Sequence, residues 1–301
     1  MDRVSWDWIL NGLDEALDFC RALGLGRHVD GSRFQEHRAC LAKLGAALTT
    51  GGQEATRDVF DENRVRALTA LTEGTELVEL LPFARSVASK IIKRKLAIVL
   101  KGPPVPTDET SNTNEPRNVL FELTLASKLW RAGLAPELGE QLDVRCRVDG
   151  RTVYIECKRP FSAKSARQAY TDALGQIATV LKDAPAEARR AVALSLTRLI
   201  NPGDRFLKHE NEAIGKQYLS SEMGRLAQAM ISTTDWPPPP PGTMGILWHV
   251  ITSGFDRSQA LLVAAQQLNV QPTSPPGSAD ELLLQALFSK LRVMWDSKGQ
   301  S

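Results

Sequence analysis

Residues 141–160 read QLDVRCRVDGRTVYIECKRP and contain the clearest structural signal of the chain. Apolar and polar residues alternate on both sides of Asp149-Gly150, and a period of two is typical of half-buried strands. Asp-Gly between two such runs is a strong hairpin signal, because both central positions of a type I′ turn require a positive φ. The sequence therefore predicts two antiparallel strands, Leu142–Val148 and Thr152–Lys158, joined by a two-residue turn.

The turn also fixes the strand register, in which apolar residues of one strand face apolar residues of the other. In this register Asp143 is opposite Glu156, and directly opposed Cβ atoms lie about 4.5–5.5 Å apart. Lys158 shares their face, two residues further along. Adjacent carboxylates repel each other unless a positive charge lies between them. Lys158 supplies one such charge, and Mg²⁺, which prefers oxygen ligands, would be a more effective one.

Two carboxylates and a lysine are suited to the hydrolysis of a phosphodiester. A metal ion held by the carboxylates would stabilise negative charge on the phosphate and lower the pKa of a bound water. Lys158 could orient that water, accept its proton if its own pKa were depressed, or hold the phosphate. The main alternative is an ordinary exposed hairpin with a charged outer face and no catalytic role.

The order of these acidic and basic residues resembles the PD-(D/E)xK, or restriction-endonuclease-like, superfamily of phosphodiesterases. The resemblance implies an αβββαβ core over residues 114–200, of which two strands are recognisable before the helix at 162–182. The chain departs from the family motif in having Leu142, not proline, before the first acidic strand residue. The matching residues are Glu122 on the first core helix, Asp143 on a strand, and Glu156-Cys157-Lys158 on the next strand.

The resemblance also implies the roles of the site residues. Asp143 and Glu156 would ligate Mg²⁺, with Mn²⁺ as the alternative ion, and the backbone carbonyl of Cys157 would be a further ligand. Lys158 would be the catalytic lysine. Glu122 would match the acidic residue of the first core helix, whereas its alternatives are simple exposure or an ion pair with a distant residue.

Substrate binding is expected from side chains close to these acidic residues, because contacts between basic groups and phosphates dominate nucleic-acid affinity. A second basic cluster at residues 90–101 is either a nucleic-acid contact or a solvated helix end. The glutamine on the helix after the second strand resembles one that some nuclease branches place near their site. The expected substrate-binding residues are Arg145, Arg147, Arg159, Lys164 and Gln176.

Composition limits the remaining possibilities. The chain has 301 residues and a formal net charge of +2, and its apolar runs are far shorter than a membrane span requires. Its first residues lack the pattern of a secretory signal. The four cysteines are scattered, which is typical of free thiols in a reducing compartment. We therefore expect a cytoplasmic protein, and the sequence is compatible with a homodimer.

The proline-rich stretch at 102–114 predicts a linker or exposed loop between two regions. Residues 1–105 are expected to be helical, and residues 112–301 to form a mixed α/β nuclease-like domain with C-terminal helices. The expected function is Mg²⁺-dependent cleavage of DNA by an endo- or exonuclease. The alternative is a catalytically inactive nucleic-acid-binding or scaffold protein with the same fold. Other predicted elements are helices at about 34–48, 55–71, 76–95, 211–231, 258–268 and 280–295, and strands at about 191–200 and 244–252.

Overall fold

The computed structural model describes residues 2–3, 6–110, 113–139, 142–180, 182, 184–201, 207–232, 236–256 and 261–296. Its α-helices are α1 Trp6–Ala22, α2 Gly26–Val29, α3 Arg33–Glu62, α4 Arg64–Val87, α5 Lys90–Val99, α6 Glu115–Arg131, α7 Ala163–Val180, α8 Thr197–Ile200, α9 Glu212–Ile231 and α10 Ala279–Asp296. Its strands are β1 Asp2–Arg3, β2 Glu137–Leu138, β3 Val144–Val148, β4 Arg151–Lys158, β5 Arg189–Ser195, β6 Leu207–His209, β7 Thr243–Asp256 and β8 Leu261–Pro272.

The strands form one mixed sheet in the order β1-β8-β7-β5-β4-β3-β2, with β6 beside β7. The pairs β2–β3 and β3–β4 are antiparallel, whereas β4–β5 and β5–β7 are parallel. This arrangement confirms the prediction of a mixed α/β protein with a mixed sheet. Within the described part of the chain, no helix is both long enough and apolar enough to cross a membrane.

The chain forms two compact units, each built from several segments. Unit 1 contains residues 1–120, 201–215 and 251–265, and unit 2 contains residues 121–200, 216–250 and 266–301. The division differs from the single boundary predicted at residues 105–112, because later segments of the chain complete unit 1. Long-range pairing of this kind leaves no local signal in the sequence.

The segment from α6 to β5 has the order helix, three strands, helix, strand. The third strand, β2, was not recognised from the sequence. It has two residues, and Glu137 and Leu138 pair with Arg145 and Val144 of β3. A strand of two residues at the sheet edge is too short to show a period of two, so only the pairing reveals it.

The predicted turn and register of the hairpin are confirmed, although the first strand begins at Val144 and not at Leu142. Val148 pairs with Arg151 next to the turn, and the pairing continues to Val144 opposite Ile155. The turn residues Asp149 and Gly150 have φ values of 47° and 81°. These are the positive values that a type I′ turn requires.

We expect Gly150→Ala to destabilise the protein by about 1 kcal/mol, because a Cβ disfavours positive φ. Gly224→Ala is the matched control, since Gly224 is an exposed residue within α9 where an added Cβ meets nothing within 4 Å. That change should stabilise the protein by roughly 0.5–1 kcal/mol. Urea unfolding of both variants measures the difference, and equal effects would contradict the turn assignment.

Two helices of the first hundred residues are longer than predicted, whereas the helix predicted at 76–95 is divided between α4 and α5. The helix predicted to end at Gly51-Gly52 continues as α3 to Glu62, and α4 runs without interruption from Arg64 to Val87. Two helical glycines cost roughly 0.5–1 kcal/mol each, a cost that tertiary packing can offset. Most residues of α4 between Ala67 and Ala84 are buried, which is consistent with packing that overrides local breaks.

Two buried arginines of unit 1 hold the backbone at residues 99–103, where the stretch predicted as a linker or exposed loop begins. Arg33 donates from its Nη1 to the carbonyl oxygen of Val99 at 2.5 Å and also to that of Lys101. Arg117 donates from its Nη2 to the carbonyl oxygen of Pro103 at 2.9 Å. Arg33 therefore fixes the chain just before residue 102, and Arg117 fixes the first part of the stretch itself. Of the two predicted alternatives, a linker or an exposed loop, this part is a loop anchored to α6.

Two predictions of secondary structure in the second half are also wrong. The predicted strand at 191–200 ends at Ser195 as β5, and α8 follows it. The predicted helix at 258–268 is replaced, where the chain is described, by strand β8 from Leu261 to Pro272. The run LLVAAQQL fits the spacing of a helix as well as that of a buried strand, and its neighbours β7 and β1 in the sheet decide between the two.

Candidate active site

Asp143 and Glu156, the two acidic residues of the predicted hairpin, lie beside each other where β4 ends and β3 begins. β3 starts at Val144, so Asp143 immediately precedes it, beside the end of its antiparallel partner β4. The backbone N–H of Cys157 donates to Oδ2 of Asp143 at 2.7 Å. This hydrogen bond fixes the Asp143 carboxylate next to the Glu156-Cys157-Lys158 segment, as the predicted register required.

Lys158 connects Glu156 to the following helix. Its Nζ donates to Oε1 of Glu156 at 2.7 Å and to Oε1 of Gln176 on α7 at 2.6 Å. The Glu156 side chain is 2% exposed and that of Lys158 is 20% exposed. The alternative of a solvated, charged hairpin face is therefore wrong at Glu156, which is buried.

Glu156 is a carboxylate in an unfavourable environment. Burial and the negative charge of Asp143 raise its pKa to about 7, although the Lys158 ammonium and a hydrogen bond from the backbone of Asp143 act in the opposite direction. Its second oxygen, Oε2, is buried and has no hydrogen-bond partner among the described residues. A buried, ionised oxygen without a partner is costly, so this position favours either a proton or a cation.

The raised pKa of Glu156 predicts an unusual pH dependence of stability. A carboxyl whose pKa is raised from 4.5 to about 7 on folding stabilises the protein fully below pH 4.5, and this contribution is lost as the pH rises through 7. The uncharged variant Glu156→Gln lacks this loss. Its stability relative to wild type should therefore rise by about 1–3 kcal/mol between pH 5 and pH 8. Urea unfolding in EDTA at both pH values measures the change, and a constant difference would contradict the burial of an ionisable Glu156.

The pKa of Lys158 shows which of its three predicted roles its surroundings favour. Burial alone would lower the pKa of Lys158, but the neighbouring Glu156 carboxylate outweighs it and the pKa is raised. The ammonium form is therefore favoured at neutral pH. This charge suits the holding of a phosphate or a water molecule, and it disfavours proton acceptance, which requires a depressed pKa.

The side chain of Cys157 lies on the other face of β4, and its thiol is affected by the charge of Glu122 on α6. Because side chains alternate along a strand, the thiol of Cys157 points away from the face of Glu156 and Lys158. Burial first, and then the charges of Asp143 and Glu122, raise the pKa of this thiol well above its ordinary value. The sulfur is therefore a neutral thiol, and the predicted ligand role of the Cys157 backbone carbonyl stays a prediction.

Glu122 lies on α6 and is 3% exposed, so simple exposure, one alternative for this residue, is wrong. Its charge acts on the thiol of Cys157. In contrast, the charges that shift the pKa of Glu156 most are those of Asp143 and Lys158. Glu122 therefore acts electrostatically on the Cys157 thiol, and its contribution to a metal site stays a prediction.

The five predicted substrate-binding residues differ in exposure. Arg145 and Arg147 are exposed on β3, on the face of the hairpin that also carries Glu156, and Arg145 forms an ion pair with Glu137. Lys164 is exposed on α7. Arg159 is 6% exposed, a burial that does not favour direct contact with a substrate.

Gln176 is the predicted substrate-binding residue with the clearest connection to the site, through its hydrogen bond to Lys158. What the sequence did not reveal is that this amide oxygen accepts from the lysine. The hydrogen bond from the Cys157 N–H to Asp143 was also not anticipated. Such contacts depend on side-chain positions that no residue spacing specifies.

The donor set of the site can be compared with the needs of a metal ion. Within the described ranges, no group of three or more His, Cys, Asp or Glu side chains is placed to hold a metal ion. Mg²⁺ requires fewer protein ligands, because it usually keeps several waters and binds through one or two carboxylates plus substrate phosphates. Asp143 and the buried Oε2 of Glu156 fit an ion of this kind, and they do not fit a cage made only of protein ligands.

Comparisons of the chain with models of protein families, with curated proteins and with solved structures found no match.

Proposed function

We propose that the protein is a metal-dependent nuclease that hydrolyses phosphodiester bonds, with DNA as its substrate. The observation that carries this proposal is the buried Oε2 of Glu156, which has no hydrogen-bond partner in the described part of the chain and lies beside Asp143 and Lys158. A protein without a ligand for this oxygen would gain stability from an apolar side chain at the same position. A divalent cation bound to Oε2 of Glu156 would supply the partner that this oxygen lacks.

The order of secondary structure supports the proposal. The segment α6-β2-β3-β4-α7-β5 runs helix, three strands, helix, strand, which is the order that the resemblance implies for residues 114–200. Glu122 lies on the first of these helices and Glu156 and Lys158 on β4, whereas Asp143 immediately precedes β3. Fold alone does not imply activity, so the proposed activity depends on the residues of the site.

In the proposed mechanism, Asp143 and Glu156 hold Mg²⁺, or Mn²⁺ as the alternative. The bound ion supplies neutralisation of negative charge on the phosphate and a lower pKa for a coordinated water. Lys158, as an ammonium, holds a phosphate oxygen or orients the attacking water. Arg145 and Arg147 contact the substrate backbone from the exposed face of β3. A cytoplasmic location and a homodimer stay predictions.

The test is a cleavage assay with circular and linear DNA, single-stranded DNA and RNA, each with Mg²⁺, Mn²⁺ or EDTA. We expect cleavage of DNA with either ion, none in EDTA, and none by Asp143→Asn. The matched control is Asp149→Asn, since Asp149 is an exposed turn residue and asparagine tolerates its positive φ. Identical products from wild type and Asp143→Asn would contradict the proposed site. Binding of DNA without cleavage would favour the inactive alternative.

A further inference from the structure

The Lys158 ammonium donates to two acceptors, Glu156 and Gln176, and acts as the counter-ion of the Glu156 carboxylate. Its donor atom Nζ lies 2.7 Å from Oε1 of Glu156 and 2.6 Å from Oε1 of Gln176. An ammonium has three N–H donors, so these two acceptors leave one donor for another partner. The lysine thus balances the charge of Glu156 within the protein itself.

Each carboxylate of the site has one oxygen engaged by the chain. Oδ2 of Asp143 accepts from the N–H of Cys157, and Oε1 of Glu156 accepts from Lys158. Oε2 of Glu156 is buried without a hydrogen-bond partner among the described residues. A divalent cation that binds this oxygen meets the positive charge of Lys158 on the same carboxylate.

We propose that Lys158 is an internal cation that competes with the divalent metal ion for Glu156. This inference rests on the proposed function and extends it to the regulation of metal binding. Entry of the metal ion breaks or weakens the bond between Lys158 and Glu156, because two positive charges on one carboxylate repel each other. The protein then binds metal weakly until substrate phosphates add negative charge to the site.

Gln176 keeps the displaced lysine at the site. Its amide oxygen is neutral, so its bond to the Lys158 ammonium does not depend on the charge of Glu156. When the metal ion displaces the ammonium from Glu156, Lys158 remains anchored to α7 through this bond.

Mn²⁺ binding without nucleic acid tests the competition. Titration followed by the electron paramagnetic resonance signal of free Mn²⁺ compares wild type with Lys158→Met, Lys158→Arg, Glu156→Gln and Lys90→Met. We expect Lys158→Met to bind Mn²⁺ at least tenfold more tightly than wild type, and Lys158→Arg, which keeps the charge, no more tightly. Glu156→Gln should lose the site. Lys90→Met, which removes an exposed positive charge at the start of α5, should change the affinity less than twofold.

Thermal melts in EDTA establish that each variant is folded before titration. If wild type binds Mn²⁺ and Lys158→Met binds it no more tightly, the competition is wrong and the proposed nuclease site stands. If neither wild type nor Lys158→Met binds Mn²⁺, then both this inference and the proposed metal site are wrong. Tighter binding by Lys158→Arg than by wild type would also overturn the competition, because the charge is unchanged.

Discussion

Replacing Lys158 by methionine should reduce DNA cleavage by about 10³-fold while the protein stays folded. Positioned charges and proton-transfer groups contribute roughly 10²–10⁴-fold to such reactions, and Lys158 is the cation bonded to Glu156. The fold should tolerate the change. Without metal, Glu156 can bind a proton once its positive partner is removed, since its pKa already lies near 7. A metal ion that binds the carboxylate takes the place of that proton.

The measurement is the single-turnover cleavage rate at saturating Mg²⁺, which separates the chemical step from metal binding. Lys43→Met, which removes an exposed positive charge from α3, is the control and should cleave at the wild-type rate. The combination expected for Lys158→Met, tighter Mn²⁺ binding with loss of cleavage, is informative because general damage to the site would weaken both. Equal rates for wild type and Lys158→Met would contradict the catalytic role of the lysine.

Replacing Glu73 by glutamine should destabilise the protein by about 3–5 kcal/mol, the typical cost of removing one partner of a buried ion pair. Oε2 of Glu73 accepts from Nε of Arg33 at 2.7 Å, and Oε1 accepts from Nε of Arg117. All three side chains are at most 1% exposed. Without the carboxylate, Arg33 and Arg117 lose the buried anion that they share, although Arg117 keeps its ion pair with Glu109.

The effect should extend beyond the ion pair itself. Arg33 and Arg117 also hold the backbone carbonyl oxygens of Val99, Lys101 and Pro103, so their displacement loosens the connection after α5. Urea unfolding measures the loss. Glu36→Gln is the matched control, because Glu36 pairs with Arg66 at 3.8 Å and both side chains are nearly half exposed. That variant should change stability by less than about 1 kcal/mol.

The same carboxylate predicts sensitivity to acid. Burial alone would raise the pKa of Glu73, but Arg117 and Arg33 outweigh it and hold the pKa well below 4.5. A depressed pKa stabilises the folded protein above pH 4.5, and this contribution is lost as the pH falls through the folded value. Glu73→Gln should therefore lose less stability than wild type on acidification, and similar losses for the two would contradict the ion pair.

The hairpin and the residues of the candidate site could be predicted from the sequence because their determinants are local. Asp149-Gly150 specifies the turn, the turn specifies the register, and the register brings Asp143 close to Glu156. Lys158 follows Glu156 by two residues, so alternation alone places both on one face. These contacts involve residues at most 15 positions apart in the printed sequence.

The tertiary structure decided those features of the fold that depend on contacts between distant segments of the chain. Pairing between strands made β8 a strand where the local pattern allowed a helix, and α3 continues through two glycines where the local pattern predicts an end. The ion pairs that join Glu73 to Arg33 and Arg117 span 40 and 44 residues, and no periodicity connects such positions. The burial of Glu156 also follows from packing, since alternation assigns a side chain to a face and only the layer above that face determines whether water reaches it.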